Sequence, residues 1–314
     1  MPSPVRVKRA SVCQRRFPYP IAEPYGAAPR RMAAMLGWKN RLAPPKRSRP
    51  TGCLLVLSLL VSSPCSPTAA GGLRKPDVDL ELVLAVDVSS SMSLAEQRVQ
   101  RDGYISAFRH PDLERAIASG GRGAIAVSYL EWAGPKYQRV VLPWTIVGSA
   151  EDAKRFADAL SAKPIVAEAG TSISGGLLAA AGLFAHIQVA GERRVIDISG
   201  DGPNNAGLPV RPIREMLTGL GITINGLPVS LPHEGSNSYQ SFPPRYLSSY
   251  YENCVIGGPG AFVIGIDDLA MFAAAIRRKL LLEIAGLPAR PRLVSYTQPG
   301  SPAFDCSMPG TVAR

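Results

Sequence analysis

The chain has 314 residues, 46% of them hydrophobic, and residues 71–314 are long enough for one α/β domain with a sizeable core. The formal charge of +11 sits at the start: residues 1–70 hold 12 Lys and Arg and a single acid, Glu23, which leaves 23 basic and 23 acidic residues beyond them. A folded part that is neutral overall, with no basic stripe interleaved with aromatics, excludes nucleic acid as the expected partner.

In chain order, Lys46, Arg47 and Arg49 precede an apolar run from Cys53 to Val61, and small residues ending Thr68-Ala69-Ala70 follow. This is the order of a secretory signal, with cleavage expected after Ala70. The run is well short of the roughly 18 residues that span a bilayer, so the mature chain is expected to carry no transmembrane segment. Residues 1–31 are Pro- and Arg-rich and do not suit a signal, which points to Met32 or Met35 as the start. The expected location is the periplasm or outside the cell. Cys65 follows Pro64, a poor context for a lipid anchor.

Asp79–Asp87 reads as a buried strand and Leu94–Phe108 as a helix, with Ser93 and Glu96 forming a capping box. A short helix follows at His110–Ser119. Strands are expected at Ala124–Tyr129 and Arg139–Leu142, and a Ser149-capped helix at Ala150–Ala162. The helix Ser174–His186 opens after Gly170-Thr171-Ser172. A strand at Arg194–Ser199 ends in Gly200-Asp201-Gly202. Helix Arg211–Leu220 closes at Gly221, strand Ile222–Leu227 follows, and Ala261–Ile264 is expected as the last strand. A long helix, Asp267–Ile284, starts on two acids and ends at Gly286. Strands alternating with helices predict an α/β fold: a Rossmann-like, doubly wound, mostly parallel sheet with helices on both faces. Pro232–Pro244 reads as a surface loop and 287–314 as a Pro-rich disordered tail after a domain at 71–286. Cys254 and Cys306, the two mature cysteines, can pair in an oxidising compartment or remain free thiols.

Chemistry concentrates at three strand ends. Asp87, Ser89 and Ser91 set a carboxylate and two hydroxyls at alternate positions where an apolar strand stops. Thr171 lies just before a helix and Asp201 just after a strand, each beside glycine. In open α/β sheets ligands bind at the carboxyl edge of the strands, and hard cations take oxygen donors. The three pieces, in this order, resemble the metal-ion-dependent adhesion site of the von Willebrand factor type A superfamily. Tyr129–Gly134, Gly170–Gly175, Ile198–Asn205 and Val255–Phe262 resemble a secreted bacterial subfamily of it, domain of unknown function 1194.

The resemblance implies a von Willebrand A-like domain over residues 79–286 that recognises a protein and is not an enzyme. It implies Mg²⁺, or Mn²⁺ or Ca²⁺, with Ser89 and Ser91 as direct ligands and Thr171 direct or through water. Asp87 and Asp201 would act through bound waters, and a partner's Asp or Glu carboxylate would take the open position. Two carboxylates roughly balance a divalent charge, and an ion without charged direct ligands attracts an incoming carboxylate more strongly.

Other polar residues read as structure. Ser90 and Ser93 are read as helix caps, Asp197 as a paired buried acid, Asp267 and Asp268 as helix-start charges, and Trp132 and Trp144 as packing. His110, His186 and His233 have no Cys or His partner at zinc spacing. Gly200–Asn205 also resembles the metal loop of haloacid-dehalogenase-type phosphohydrolases, but their general acid falls at Ser89, which cannot serve near neutral pH. The segment Gly170-Thr171-Ser172 is similar to that around the nucleophile of subtilisin-like proteases, but no histidine completes a triad. A metal-free structural envelope domain is the remaining alternative.

Overall fold

A computed structural model of the chain describes residues 77–231, 242–286 and 304–306. Its centre is β1 (Val78–Asp87), ten consecutive residues all buried, as a strand covered on both faces requires. Parallel partners flank it: β2 (Ile125–Trp132) on one side and β4 (Gly191–Gly200) on the other, with β5 (Ile222–Pro228) beyond β4. β3 (Gln138–Val147) closes the β2 side antiparallel, giving the order β3-β2-β1-β4-β5. Pro143 is tolerated within β3 because an edge strand need not offer every N–H to a ladder.

The alternation of β1 sorts the two layers. Leu80, Leu82, Leu84 and Val86 face one core with α1 (Leu94–Phe108), α2 (Pro111–Ala118), α3 (Ala150–Ser161) and α7 (Phe272–Ala285). Val83 and Ala85 face the other, with α4 (Ile173–Leu183), α5 (Val210–Gly219) and α6 (Pro244–Tyr250). The fold is thus the Rossmann-like, doubly wound α/β sandwich expected from the strand–helix alternation.

Three expectations need correction. Ala261–Ile264 is not a strand: it meets β5 through one isolated bridge, Gly226 with Val263, and a second bridge, Val229 with Ile266, lies just beyond both segments. Two features interrupt the ladder. Pro228 has no N–H to donate, and the Phe262 N–H is taken by the Asn225 side chain at 3.2 Å. The last helix starts later than Asp267. Asp268 accepts from Ala270 N and caps a 3₁₀ turn, Leu269–Met271, before α7 begins at Phe272. Gly286 does end α7, in the left-handed conformation at φ 62°. Finally, the tail is not featureless where it is described: Cys306 forms a disulfide with Cys254, and Phe304 packs on Tyr246 and Tyr250.

α6 and the π turn that continues it, Tyr251–Val255, were not anticipated. The leader, the proposed start codons and most of the 232–244 loop lie outside the described residues. Among the described residues no helix is long and apolar enough to cross a membrane.

Candidate metal centre

β1 delivers Asp87 to the carboxyl edge of the sheet, opposite Trp132 of β2. The chain turns at once: the Ser89 N–H donates to Asp87 Oδ1 at 2.7 Å, an Asx-type turn in which the carboxylate stands in for a backbone acceptor. α1 secures this turn from below. Gln97 donates to Ser89 O at 3.1 Å and Gln100 to Asp87 O at 3.1 Å. Ser93, not Ser90, caps α1. Its Oγ accepts from Glu96 N while Glu96 accepts from Ser93 N, which leaves the hydroxyls of Ser89 and Ser91 outside the cap.

Those hydroxyls lie 2.8 Å apart, and Ser91 Oγ donates to Asp201 Oδ1 at 2.9 Å. The first and third sequence motifs therefore meet directly across 110 residues of chain. Thr171 is drawn in by the third loop. Its N–H donates to Asn205 Oδ1 at 3.0 Å, and its carbonyl accepts from Asn205 N at 2.9 Å and Ala206 N at 3.2 Å. Asn204 Oδ1 accepts from Ser174 N at 3.0 Å and so steadies the first turn of α4. A further strap joins the first loop to the segment before Thr171: Ser90 N donates to Glu168 O at 2.7 Å, and Glu168 N to Val88 O at 3.0 Å. Asp87, Ser89, Thr171 and Asp201 are buried and Ser91 is half-buried, so the cluster meets solvent on the Ser91 side.

The electrostatics are unbalanced. Burial, then the charge of Asp201, pushes the Asp87 carboxyl well above the usual carboxylate range. Asp87 Oδ2 is buried and has no hydrogen-bond donor among the described residues, and neither does the Tyr251 hydroxyl. Both border Gly200, where a Cβ would come within 2.8 Å of Tyr251 Oη and 2.9 Å of Asp87 Oδ2, so only glycine fits beside them. Two carboxylates, one of them with an orphaned oxygen, and three hydroxyl-bearing residues are a donor set suited to a hard divalent cation. Among the described residues no three His, Cys, Asp or Glu side chains are grouped so as to hold a metal ion, so the donors at this edge are two carboxylates completed by hydroxyls.

Sequence reasoning missed Asn204, Asn205, Glu168 and the tyrosine pair Tyr250 and Tyr251. Consecutive asparagines after Asp201-Gly202-Pro203 were the available signal, since Asn side chains replace backbone partners in tight loops. The residues read as structure behave so: Asp197 pairs with Lys279 at 2.6 Å, Trp132 is fully buried, and His110 caps α2.

No curated protein matches the chain. Proximal thread matrix protein 1 from the mussel byssus, in a structure with a zinc-occupied MIDAS motif, matches at 16% identity over 67% of this chain and 49% of its own, with a TM-score of 0.48. A von Willebrand factor type A protein from Catenulispora acidiphila matches at 17% identity over 66% of this chain and 43% of its own, TM-score 0.45. An aerotolerance-related membrane protein from Bacteroides fragilis matches at 22% identity over 66% of this chain and all of its own, TM-score 0.41. The chain spans about half the length of the first of these. A sequence profile described as Protein of unknown function (DUF1194) matches residues 77–288, about two thirds of the chain, and the chain belongs to that family.

Proposed function

We propose that this protein binds one divalent cation, Mg²⁺, Mn²⁺ or Ca²⁺, at Asp87, Ser89, Ser91, Thr171 and Asp201, and uses it to recognise a carboxylate of a partner protein. The observation that carries the reading is the Ser89–Ser91–Asp201 hydrogen-bond chain beside a buried Asp87 oxygen that lacks a donor. Buried charge without a counter-charge is expensive, and a cation at this edge would relieve it. When bound, the ion would supply Lewis acidity toward an incoming oxygen ligand.

The residues do the rest. Ser89 and Ser91 offer neutral hydroxyls, so the site keeps residual positive charge for a partner's carboxylate. Asp87 and Asp201 set the charge balance. Asn205 holds the Thr171 loop against the Asp201 loop, which fixes the spacing between donors. Recognition rather than catalysis fits Ser89, since a buried hydroxyl bonded to Ser91 is no general acid. The Cys254–Cys306 disulfide fits an oxidising compartment, which supports the periplasmic or secreted reading of the leader.

Calorimetry of Mg²⁺, Mn²⁺ and Ca²⁺ into the purified protein tests this. One site is expected, lost in Asp87→Ala and Asp201→Ala. Unchanged affinity in both variants would show that the ion binds elsewhere, and no detectable binding in the unaltered protein would move it to the metal-free structural class. Phosphate-ester turnover that disappears in Asp87→Asn would make it a phosphohydrolase instead.

A further inference from the structure

Along α1, the helix that follows the Ser89–Ser91 loop, runs a groove that the reading above leaves unused. It has a volume of about 320 Å³ and lies between α1 and the segment that follows α3. Leu94, Arg98 and Ile105 of α1 form one wall, and Ser161, Lys163 and Ile165 the other. Both walls grow out of the metal loops. Leu94 lies three positions beyond Ser91, and Ile165 three before Glu168, whose backbone is bonded to Val88 and Ser90. Each wall therefore begins three residues from a segment that carries or braces the candidate site.

Its shape is fixed by buried chemistry. Arg101, on the same helix, is buried and donates to the Lys163 carbonyl at 2.7 Å, clamping the two walls together. Arg101 also pairs with buried Glu131, which pairs in turn with Arg139 at 2.9 Å. Two guanidiniums thus share one carboxylate under the groove and leave positive charge in surplus. Arg98 and Lys163 are exposed, and among the described residues neither is held in an ion pair. The one acid lining the groove is Asp102, a helical turn beyond Arg98.

Order along α1 gives the groove a direction. Nearest the metal loops stands Leu94, an apolar residue left 47% exposed, with Ile165 on the wall opposite. The cations Arg98 and Lys163 come next. We propose that this groove seats the continuation of the partner segment whose carboxylate reaches the metal centre, and that this continuation is an apolar residue followed by a second acidic one. The apolar residue covers Leu94 and Ile165, and the second carboxylate pairs with Arg98 and Lys163. The proposal rests on the metal-dependent reading and adds to it the partner's sequence character.

The test uses synthetic peptides with blocked ends, each carrying one Glu, an apolar spacer of one to three residues on either side, and then Glu or Lys. They are titrated into the full chain in Mg²⁺ by fluorescence anisotropy. Rim charge pairs are individually weak, so the Glu-ended peptide should bind about three- to tenfold more tightly than its Lys-ended twin. The double variant Arg98→Glu, Lys163→Glu should invert that preference. In the unaltered protein, salt at about 1 M should erase it.

A preference that is absent, or that survives charge reversal, overturns the proposal, as does failure of every peptide to bind the Mg²⁺-loaded protein. The two readings fail separately. Metal-dependent binding with no charge preference leaves the metal centre standing and removes the groove. Charge-sensitive binding that ignores both chelator and Asp201→Ala leaves the groove standing and removes the metal-carboxylate contact.

Discussion

Lys279 is the sharpest handle on stability in this fold. It sits on α7 with none of its side chain exposed, its Nζ 2.6 Å from Asp197 Oδ1 on β4 and 2.5 Å from Glu283 Oε1 one turn on. Glu283 Oε1 also accepts from Asn225 of β5 at 2.9 Å, so this one ammonium joins α7 to two strands. Lys279→Met keeps most of the stem but removes the charge, leaving Asp197 buried without a cation. Removing one member of a buried pair typically costs about 3–5 kcal/mol. The Phe262 ring, 5.4 Å from the ammonium, contributes a further amount of about 1–2 kcal/mol to that figure at a desolvated site. A loss of about 4 kcal/mol or more is therefore expected at pH 8, read by urea unfolding.

The sign of its pH dependence follows from the same geometry. Without Lys279 the folded-state pKa of Asp197 rises further above the unfolded value near 3.9, so the native state holds the extra proton. Stability of the variant should then fall as pH climbs above that unfolded value, by up to about 1.4 kcal/mol per pH unit. The deficit against the unaltered protein should shrink in acid. A deficit under about 1 kcal/mol at pH 8, or one that does not change between pH 5 and 8, would refute the argument that Lys279 neutralises buried carboxylates.

Glu283 itself is pushed up to about 7, first by burial and then by the charge of Asp197, from an ordinary 4.5. Its contribution to stability is present below about 4.5 and lost as pH rises through about 7; Glu283→Gln should remove that part of the pH dependence of Tm, and an unchanged profile would contradict it. Breaking the Cys254–Cys306 link, 52 residues apart, should lower stability by about 4 kcal/mol on the chain-entropy model, read as a shifted urea midpoint in reductant or in Cys306→Ser. Asn205→Ala removes the acceptor of the Thr171 N–H and should weaken metal affinity by about 10–100-fold with Tm nearly unchanged; equal affinity would show that the Thr171 loop needs no such anchor.

The sheet was legible because its signal is physical and local. Apolar runs such as Leu82–Val86 must be covered on both faces, and the Ser93–Glu96 box marks the start of α1 to the residue. The loss of the sixth strand was not legible in the same way. It turns on one missing donor at Pro228 and one side chain, Asn225, that takes the neighbouring amide. α6 and its π turn did carry a signal, since Leu247, Tyr250, Tyr251, Cys254 and Val255 are buried at helical spacing. Their flanking Ser, Tyr and Asn residues have middling helix propensity and obscured it. At the candidate metal centre, the residues that come together, Ser89, Ser91 and Asp201, could be read from spacing along the chain. Asn204 and Asn205 could not, because their work is to bond backbone some 30 residues away.

That division between donors and braces bears on how the site would work. A divalent ion binds tightly only where its ligands are already ordered, since ordering them on binding draws on the same free energy. Here the Asp87 turn is closed by Ser89 N and braced by Gln97 and Gln100 from α1. The Thr171 loop is closed by Asn205, and the Asp201 loop follows a fully buried strand end. Tyr250, which accepts from Asn204 N, packs against Phe304 beside the Cys254–Cys306 link, so the covalent staple also supports the third loop. Each donor is thus held by an element whose stability comes from core packing or a covalent bond, not from the ion. The one side left open is Ser91, half-buried, where the cluster meets solvent. Under the proposed metal-dependent reading, a site braced on three sides and open on the fourth would take one outside oxygen, and for that reason the search for a partner should begin with exposed carboxylates.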